Sequence, residues 1–277
     1  MLTVCRHADA REFLTRAEAW LTSSPIEHAV ALASARNARA NDSYYQRPLY
    51  WATIEDESQI VGCAFRTPPY RLGVTALPAA AIPVLLADVA ALYSTLSGVA
   101  GTEPAASSFA DAWTREHGGS WKVQSSQRLF ALRSLELPGA QPAGRLRLAN
   151  DADAALAQDW GAAHARDSGI APLDGRFCLS LIRERRLHFW DDGRPRCMVG
   201  VFREAPGAAA IGIVYTPAGL RKRGYATAAV SALSRHYLDR STRGVFVCAD
   251  PKNAAAHALC RQLGFESFQD SVDIDFD

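Results

Sequence analysis

Apolar positions along this chain recur at two spacings, every second residue or every third to fourth, and polar, proline or glycine breaks separate them. Residues 2–6 alternate like a short strand. Asp9 is placed to cap a helix, and residues 10–21 carry apolar side chains at helical spacing. Pro25 suits a first helical turn, and a second helix is predicted to run to about Arg39. After a polar, tyrosine-bearing loop over 41–48, residues 49–55 and 60–66 read as a hairpin across a turn at 56–59. A third strand fits 72–77 and ends at Pro78. A long apolar helix is predicted over 81–96, a short strand over 98–101, and an amphipathic helix over 109–117, stopped by Gly118 and Gly119. Two strand-like pieces fill 123–132.

Residues 135–143 hold Pro138, Gly139 and Pro142 and read as a linker. The alternation then starts again. A strand fits 144–148, Asp151 is placed to cap a helix through His164, and a second helix fits 176–185. Residues 187–190 and 197–203 pair across the turn-forming Asp191, Asp192 and Gly193. An apolar strand over 211–215 stops at Pro217 and leads to a helix from Thr227. A strand at 244–248, a helix at 253–263 stopped by Gly264, and a strand at 272–276 complete the chain.

The two halves therefore repeat one succession of elements at an offset of about 140 residues, which marks a duplicated domain rather than a solenoid. Val61-Gly62 aligns with Val199-Gly200, Phe65-Arg66 with Phe202-Arg203, and Pro78 with Pro217. The expected division is a domain over 1–135, a linker over 136–143 and a domain over 144–277. The fold class is α/β (α+β), each domain a mixed, mostly antiparallel sheet flanked by helices.

The halves differ at one place with chemical meaning. In the second, a strand, the turn Arg221-Lys222-Arg223-Gly224-Tyr225-Ala226 and a helix start follow one another. The first N–H groups of a helix have no partner within it, and the helix dipole adds partial positive charge there. Small residues at 224 and 226 let an anion such as phosphate approach the backbone. By itself the stretch also suits an ordinary turn with a solvated basic cluster. The counterpart in the first half, residues 82–87, has no glycine and no basic residue, and Pro83 lacks an N–H. No pyrophosphate is expected to bind there.

Composition narrows the function classes. The 277 residues are 48% hydrophobic and 21% charged, as in a soluble globular protein. A net charge of +1 gives no overall field to recruit nucleic acid or membrane. Cys5, Cys63, Cys178, Cys197, Cys248 and Cys260 form no C-x-x-C pair, which argues against a metal site and a disulfide framework. Reduced thiols and a cytoplasmic location are expected. The N-terminus turns polar by Arg6, so no signal peptide is expected. Pro78, Pro83 and Asp88 interrupt the apolar stretch 74–96, so no membrane span is expected either.

Three features of the second half carry a resemblance. Arg221 to Ala226 is similar to the Arg/Gln-x-x-Gly-x-Gly/Ala pyrophosphate loop of the GNAT superfamily of acyl-CoA-dependent N-acyltransferases. The preceding Val214 to Pro217 resembles the end of that family's fourth strand. Asn253 to Phe265 resembles its later Asn-x-x-Ala-x-x-Leu-Tyr-x-x-x-Gly-Phe helix. The whole chain looks like a tandem member with a degenerate first copy. The resemblance implies acetyl-CoA, or another acyl-CoA, as co-substrate and the primary amine of a small molecule as acceptor. It implies that backbone N–H groups at Arg223, Gly224, Tyr225, Ala226 and Thr227 bind the pyrophosphate, with Arg221 and Lys222 reaching phosphate oxygens. The edge of Ile213, Val214 and Tyr215 would pair with the pantetheine arm as an added strand, and Asn253 and Ala256 would contact the same arm.

The proton chemistry is less well marked. A tyrosine usual in the family for protonating the leaving thiolate is replaced by Cys260, which also suits a small core position. Residues 208–215 carry no carboxylate to act as base, which leaves Tyr215, His257 and Asp250 as candidates by position. His257 also suits a helix surface and Asp250 a turn. Phe189 and Trp190 suit the core, whereas Tyr44, Tyr45 and Trp160 could line an acceptor pocket. Two other functions are open: transfer from a tRNA-borne donor, for which the missing tyrosine speaks and the near-neutral charge does not, and a non-catalytic acyl-CoA-binding or partner-binding scaffold.

Overall fold

The structure, a computed structural model, describes residues 1–41, 44–132, 134–136, 139, 141–168, 175–205, 207–240 and 244–277. The first half runs β1 (Leu2–Arg6), α1 (Ala10–Ser23), α2 (Ala29–Ala40), β2 (Tyr50–Asp56), β3 (Gln59–Arg66), β4 (Leu72–Val74), α3 (Ala81–Ala90), β5 (Gly98–Thr102), α4 (Glu103–His117) and β6 (Trp121–Leu132). The second repeats that order: β7 (Arg145–Leu148), α5 (Ala154–Ser168), α6 (Gly175–Arg183), β8 (Leu187–Asp191), β9 (Pro195–Ala205), β10 (Ala208–Tyr215), α7 (Tyr225–Leu238), β11 (Gly244–Ala249), α8 (Ala254–Gln262) and β12 (Glu266–Phe276). It is a mixed α/β fold with mostly antiparallel strands and flanking helices.

Two compact units form, and they do not divide where the sequence suggests. One comprises Met1–Leu129 with Phe268–Asp277, the other Phe130–Ser267. The division falls inside β6 rather than in the expected linker over 136–143, and the end of the chain belongs with the first half. Residues distant in sequence cause this. β12 pairs antiparallel with β5 from Ser271↔Thr102 to Asp275↔Gly98. Val272 and Ile274 lie in the first unit's core with Leu85, Val99, Phe109 and Trp113. Polar contacts fix the strand: Arg128 donates twice to Asp270, at 2.8 and 2.7 Å, and Ser125 donates to Asp273 at 2.8 Å. Burying Ile274 alone is worth about 1.5–3 kcal/mol.

In the first unit the strands lie in the order β1-β2-β3-β4-β5-β12-β6, with β4 and β5 parallel. In the second the order is β11-β10-β9-β8-β7, with the end of β6 beside β11 and with β10 and β11 parallel. The second unit has a core on each face of its sheet. Val230, Leu233, Cys260, Leu263 and Phe265 pack on one side, under α7 and α8. Cys178, Leu181, Phe189, Met198 and Ile213 pack on the other, under α5 and α6.

Local differences from the sequence reading have visible causes. Asp9 caps α1 by accepting from the N–H groups of Arg11 and Glu12, both at 2.8 Å. Helix α2 starts at Ala29 rather than near Pro25, and its N-cap residue His28 stacks on Trp20 of α1 at 4.0 Å. Helix α3 ends at Ala90, not at 96, and the hydroxyl of the buried Tyr93 donates to the Pro48 carbonyl at 2.6 Å. Helix α4 starts early, at Glu103, because Pro104 sits in its first turn, where a missing N–H costs little. β4 stops at Val74, and β6 is one strand rather than two pieces. Asn150, not Asp151, opens the path into α5. It accepts from the Ala152 N–H at 2.9 Å, while Asp153 accepts from the Asn150 N–H at 2.9 Å.

Candidate active site

The second unit opens at the end of β10. Its pairing with β11 runs from Ala208↔Gly244 to Ile211↔Val247 and ends there. On its other side β10 stays with β9 as far as Tyr215↔Met198, with one extra residue between Gly212 and Tyr215. That extra residue makes a bulge, and Ile213 within it has φ of 54°. A β-branched residue in the left-handed region is strained by about 1–3 kcal/mol, a cost met where the surrounding structure fixes the position. Among the described residues, Gly212 to Tyr215 therefore lack a strand partner on the β11 side. Such an edge is able to accept an extended, amide-bearing chain.

The turn after β10 supplies the complementary feature. Residues 218–220 form a short helical turn in which Leu220 N–H donates to Pro217 O at 2.8 Å and Arg221 N–H to Ala218 O at 3.3 Å. Lys222 and Gly224 then adopt φ of 62° and 81°. Gly224 is the N-cap of α7, and no side chain caps the helix. The first turn closes when Ala228 N–H donates to Gly224 O at 2.9 Å. Among the described residues, the N–H groups of Lys222 through Thr227 have no backbone partner. They stand at the positive end of a 14-residue helix, beside three exposed cationic side chains. Gly224 fits this place for two reasons. Its φ penalises a side chain, and Pro142, at 3.5 Å from where a Cβ would stand, is the nearest group over its Cα.

The side chains named from the sequence divide into two sets. Ile213, Val214 and Tyr215 lie on the unpaired edge, and Arg223, Gly224, Tyr225, Ala226 and Thr227 line the cradle of N–H groups. Arg221 turns elsewhere: its Nε donates to Thr216 O at 2.9 Å, its other end pairs with Asp167, and it lies over the Tyr215 ring at 5.9 Å. The Asn253 Oδ1 caps α8, accepting from Ala256 N–H at 3.0 Å. Cys260 is fully buried in the apolar core, and burial pushes its thiol up to about 12. It packs there instead of facing the opening. Asp250 accepts from Lys252 N–H at 2.7 Å within a turn, and His257 sits 3.1 Å from the Asp250 carbonyl, edge-on to Phe130. Phe189 and Trp190 are buried, as expected, and Trp190 Nε1 donates to Ala143 O at 3.0 Å. Tyr44 and Tyr45 belong to the first unit.

One residue at the opening escaped the sequence reading. Helix α5 carries Trp160, His164 and Asp167 at positions i, i+4 and i+7, which share one face. Trp160 meets the Tyr215 ring at 5.7 Å, and Asp167 holds Arg221. His164 lies between them, against the Val214 backbone, and burial lowers its pKa below the ordinary imidazole value of 6.5. The spacing of Trp160, His164 and Asp167 was readable, but not that this face meets β10.

A cavity of about 520 Å³ lies at the opposite end of α7, lined by Leu148, Arg186, His188, Glu204, Tyr237 and Arg240 among others. The helix separates it from Gly224 by about 20 Å at 1.5 Å per residue, so it is not part of the opening. Among the described residues, no cluster of three or more His, Cys, Asp or Glu is placed to hold a metal ion, and no helix is long and apolar enough to cross a membrane.

Residues 145–266 match the family model of the acetyltransferase (GNAT) domain. No curated protein matches the sequence. Among solved structures, the chain is similar to a Drosophila protein, with a TM-score of 0.65 at 12% identity over 99% of this chain and 98% of that one. It is also similar to a GNAT-family acetyltransferase from Colwellia psychrerythraea, with a TM-score of 0.56 at 12% identity over 99% and 100% of the two chains. A third is a tandem GNAT protein from the clavulanic acid biosynthesis pathway, with a TM-score of 0.52 at 15% identity over 100% and 98%. At these identities the likeness is one of fold.

Proposed function

Residues 145–266 form a GNAT acetyltransferase domain, and from that premise we propose that the second unit moves an acetyl or other acyl group from acyl-CoA to the primary amine of a small molecule. The observation that carries this reading is the adjacency of the unpaired β10 edge and the unpartnered N–H groups at the start of α7. Together they suit a ligand with a diphosphate at one end and an amide-rich arm at the other. The donor set fits: Arg223 to Thr227 would hold the pyrophosphate through backbone N–H groups, and Gly224 leaves room for it. Gly212 to Tyr215 would pair with the arm and leave the thioester near Val214 and Tyr215. A backbone N–H there would polarise the thioester carbonyl as the amine attacks. Lys222 and Arg223, exposed beside the cradle, would add charge toward phosphate oxygens. Arg221 would act mainly by holding Asp167 and Tyr215 in place. The first unit lacks these features at α3, and we assign it no acyl-CoA site.

Calorimetric titration with acetyl-CoA should give saturable binding to one site per chain. Thiol release with acetyl-CoA and a panel of small amines should then identify acceptors. An absence of acetyl-CoA binding at millimolar concentration would overturn the reading.

A further inference from the structure

We propose that His164 is the base that takes the proton from the attacking amine. The inference rests on the acyl-transfer reading above and assigns the step for which the strand offers no carboxylate. Residues 208–215 contain no Asp or Glu, and Cys260 is sealed in the core.

The placement of His164 follows from contacts on either side of it. One turn before, Trp160 lies on the Tyr215 ring at 5.7 Å; nearly one turn after, Asp167 is paired with Arg221. The intervening face of α5 must therefore run along the end of β10, which brings His164 beside the Val214 backbone. Val214 follows the bulged Ile213 and belongs to the stretch that has left β11. The imidazole thus borders the backbone segment where a thioester would lie.

Its surroundings keep it able to accept a proton. Asp167 on its own helix and the Val214 backbone on β10 act on it, and Arg221, in the turn after β10, is paired with Asp167. Asp167 favours the charged imidazole, but its carboxylate is engaged by Arg221, and burial acts the other way and prevails. In the neutral imidazole one ring nitrogen carries the proton, and the other carries a lone pair that can accept one. In the reaction the amine nitrogen bonds to the acyl carbonyl carbon, and its proton passes to that nitrogen of His164. The carbon–sulfur bond then breaks, and the departing thiolate takes the proton from the imidazolium. Amide, free thiol and neutral His164 remain.

The test compares His164→Ala and His164→Gln with the wild-type chain, using acetyl-CoA and the best amine from the panel. The kcat should fall by about a hundredfold or more, the usual scale for loss of a general base, while the Kd for acetyl-CoA stays unchanged and reports a folded protein. In the wild type, log kcat/KM should fall with unit slope as pH drops through a value below 6.5. Both variants should lose that limb, and added imidazole should restore part of the rate in His164→Ala. Turnover within about threefold of wild type in His164→Gln, or an unchanged acid limb, would overturn the assignment alone. Failure of the wild-type chain to bind acetyl-CoA would instead overturn the acyl-transfer reading and the base assignment with it.

Discussion

In each half a strand, a proline and a helix follow one another: β4, Pro78 and α3 in one, β10, Pro217 and α7 in the other. The first connection is closed. β4 pairs with β5 to its last residue, Val74↔Gly101, so no edge opens. Ala81 N–H donates to Pro78 O at 2.9 Å, Ile82 N–H to Ala79 O at 3.2 Å, and Pro83 has no N–H to offer. Ile82, Leu85 and Leu86 fill the core. The second connection is open in each of these respects. Among the described residues, pairing with β11 stops at Ile211 while β10 continues to Tyr215, and the N–H groups at the helix start are left without backbone partners. The same succession of elements thus gives a packed corner or an open one, according to one bulge and a few residues before the helix.

The largest expected effect tests the open corner. Gly224→Glu puts a carboxylate where an anion is proposed to bind and forces a side chain to φ of 81°. Acetyl-CoA affinity should fall by about a thousandfold, roughly 4 kcal/mol, while the backbone strain lowers the melting temperature by only a few degrees, as calorimetry and a melt would show. The closed corner responds in the opposite way. A Cβ on Gly101 would stand 2.1 Å from the Val74 carbonyl oxygen. Gly101→Ala should cost about 2–3 kcal/mol of stability in urea denaturation, the scale of overpacking, yet leave the acetyl-CoA Kd of the folded protein unaltered. A loss of binding there would mean that the first unit takes part in holding the donor. The smallest effect separates backbone from charge. Arg221 is half-exposed and already paired, with 46% of its side chain accessible. Exposed pairs are worth about 1 kcal/mol at most, so Arg221→Ala should change the KM for acetyl-CoA by less than about fivefold.

What the sequence made legible was local. The Asp9 cap, the turn at Asp191 to Gly193, the strand and helix order and the turn around Gly224 each depend on neighbours within a few residues, and so could be read. The bulge at Ile213 could not, because isoleucine disfavours a left-handed backbone and only the sheet around it imposes one. Cys260 was ambiguous by position: a place in a helix motif does not show which way a side chain points, and here it points into the core. His164 looked like the end of an amphipathic stretch, since its meaning comes from β10, some 50 residues further along. The proline-bearing stretch 135–143 resembled a boundary because composition suggests flexibility, whereas the true division depends on which strand β12 chooses.

That choice has a consequence for how the protein is made. The strand that lies between β5 and β6 is translated after all the elements from β7 to α8. A nascent chain released as far as Leu135 has β5 exposed along one side, a ready template for strands of other molecules. Its early half must wait, incomplete, for the last stretch to arrive, and the risk of aggregation during synthesis falls in that interval.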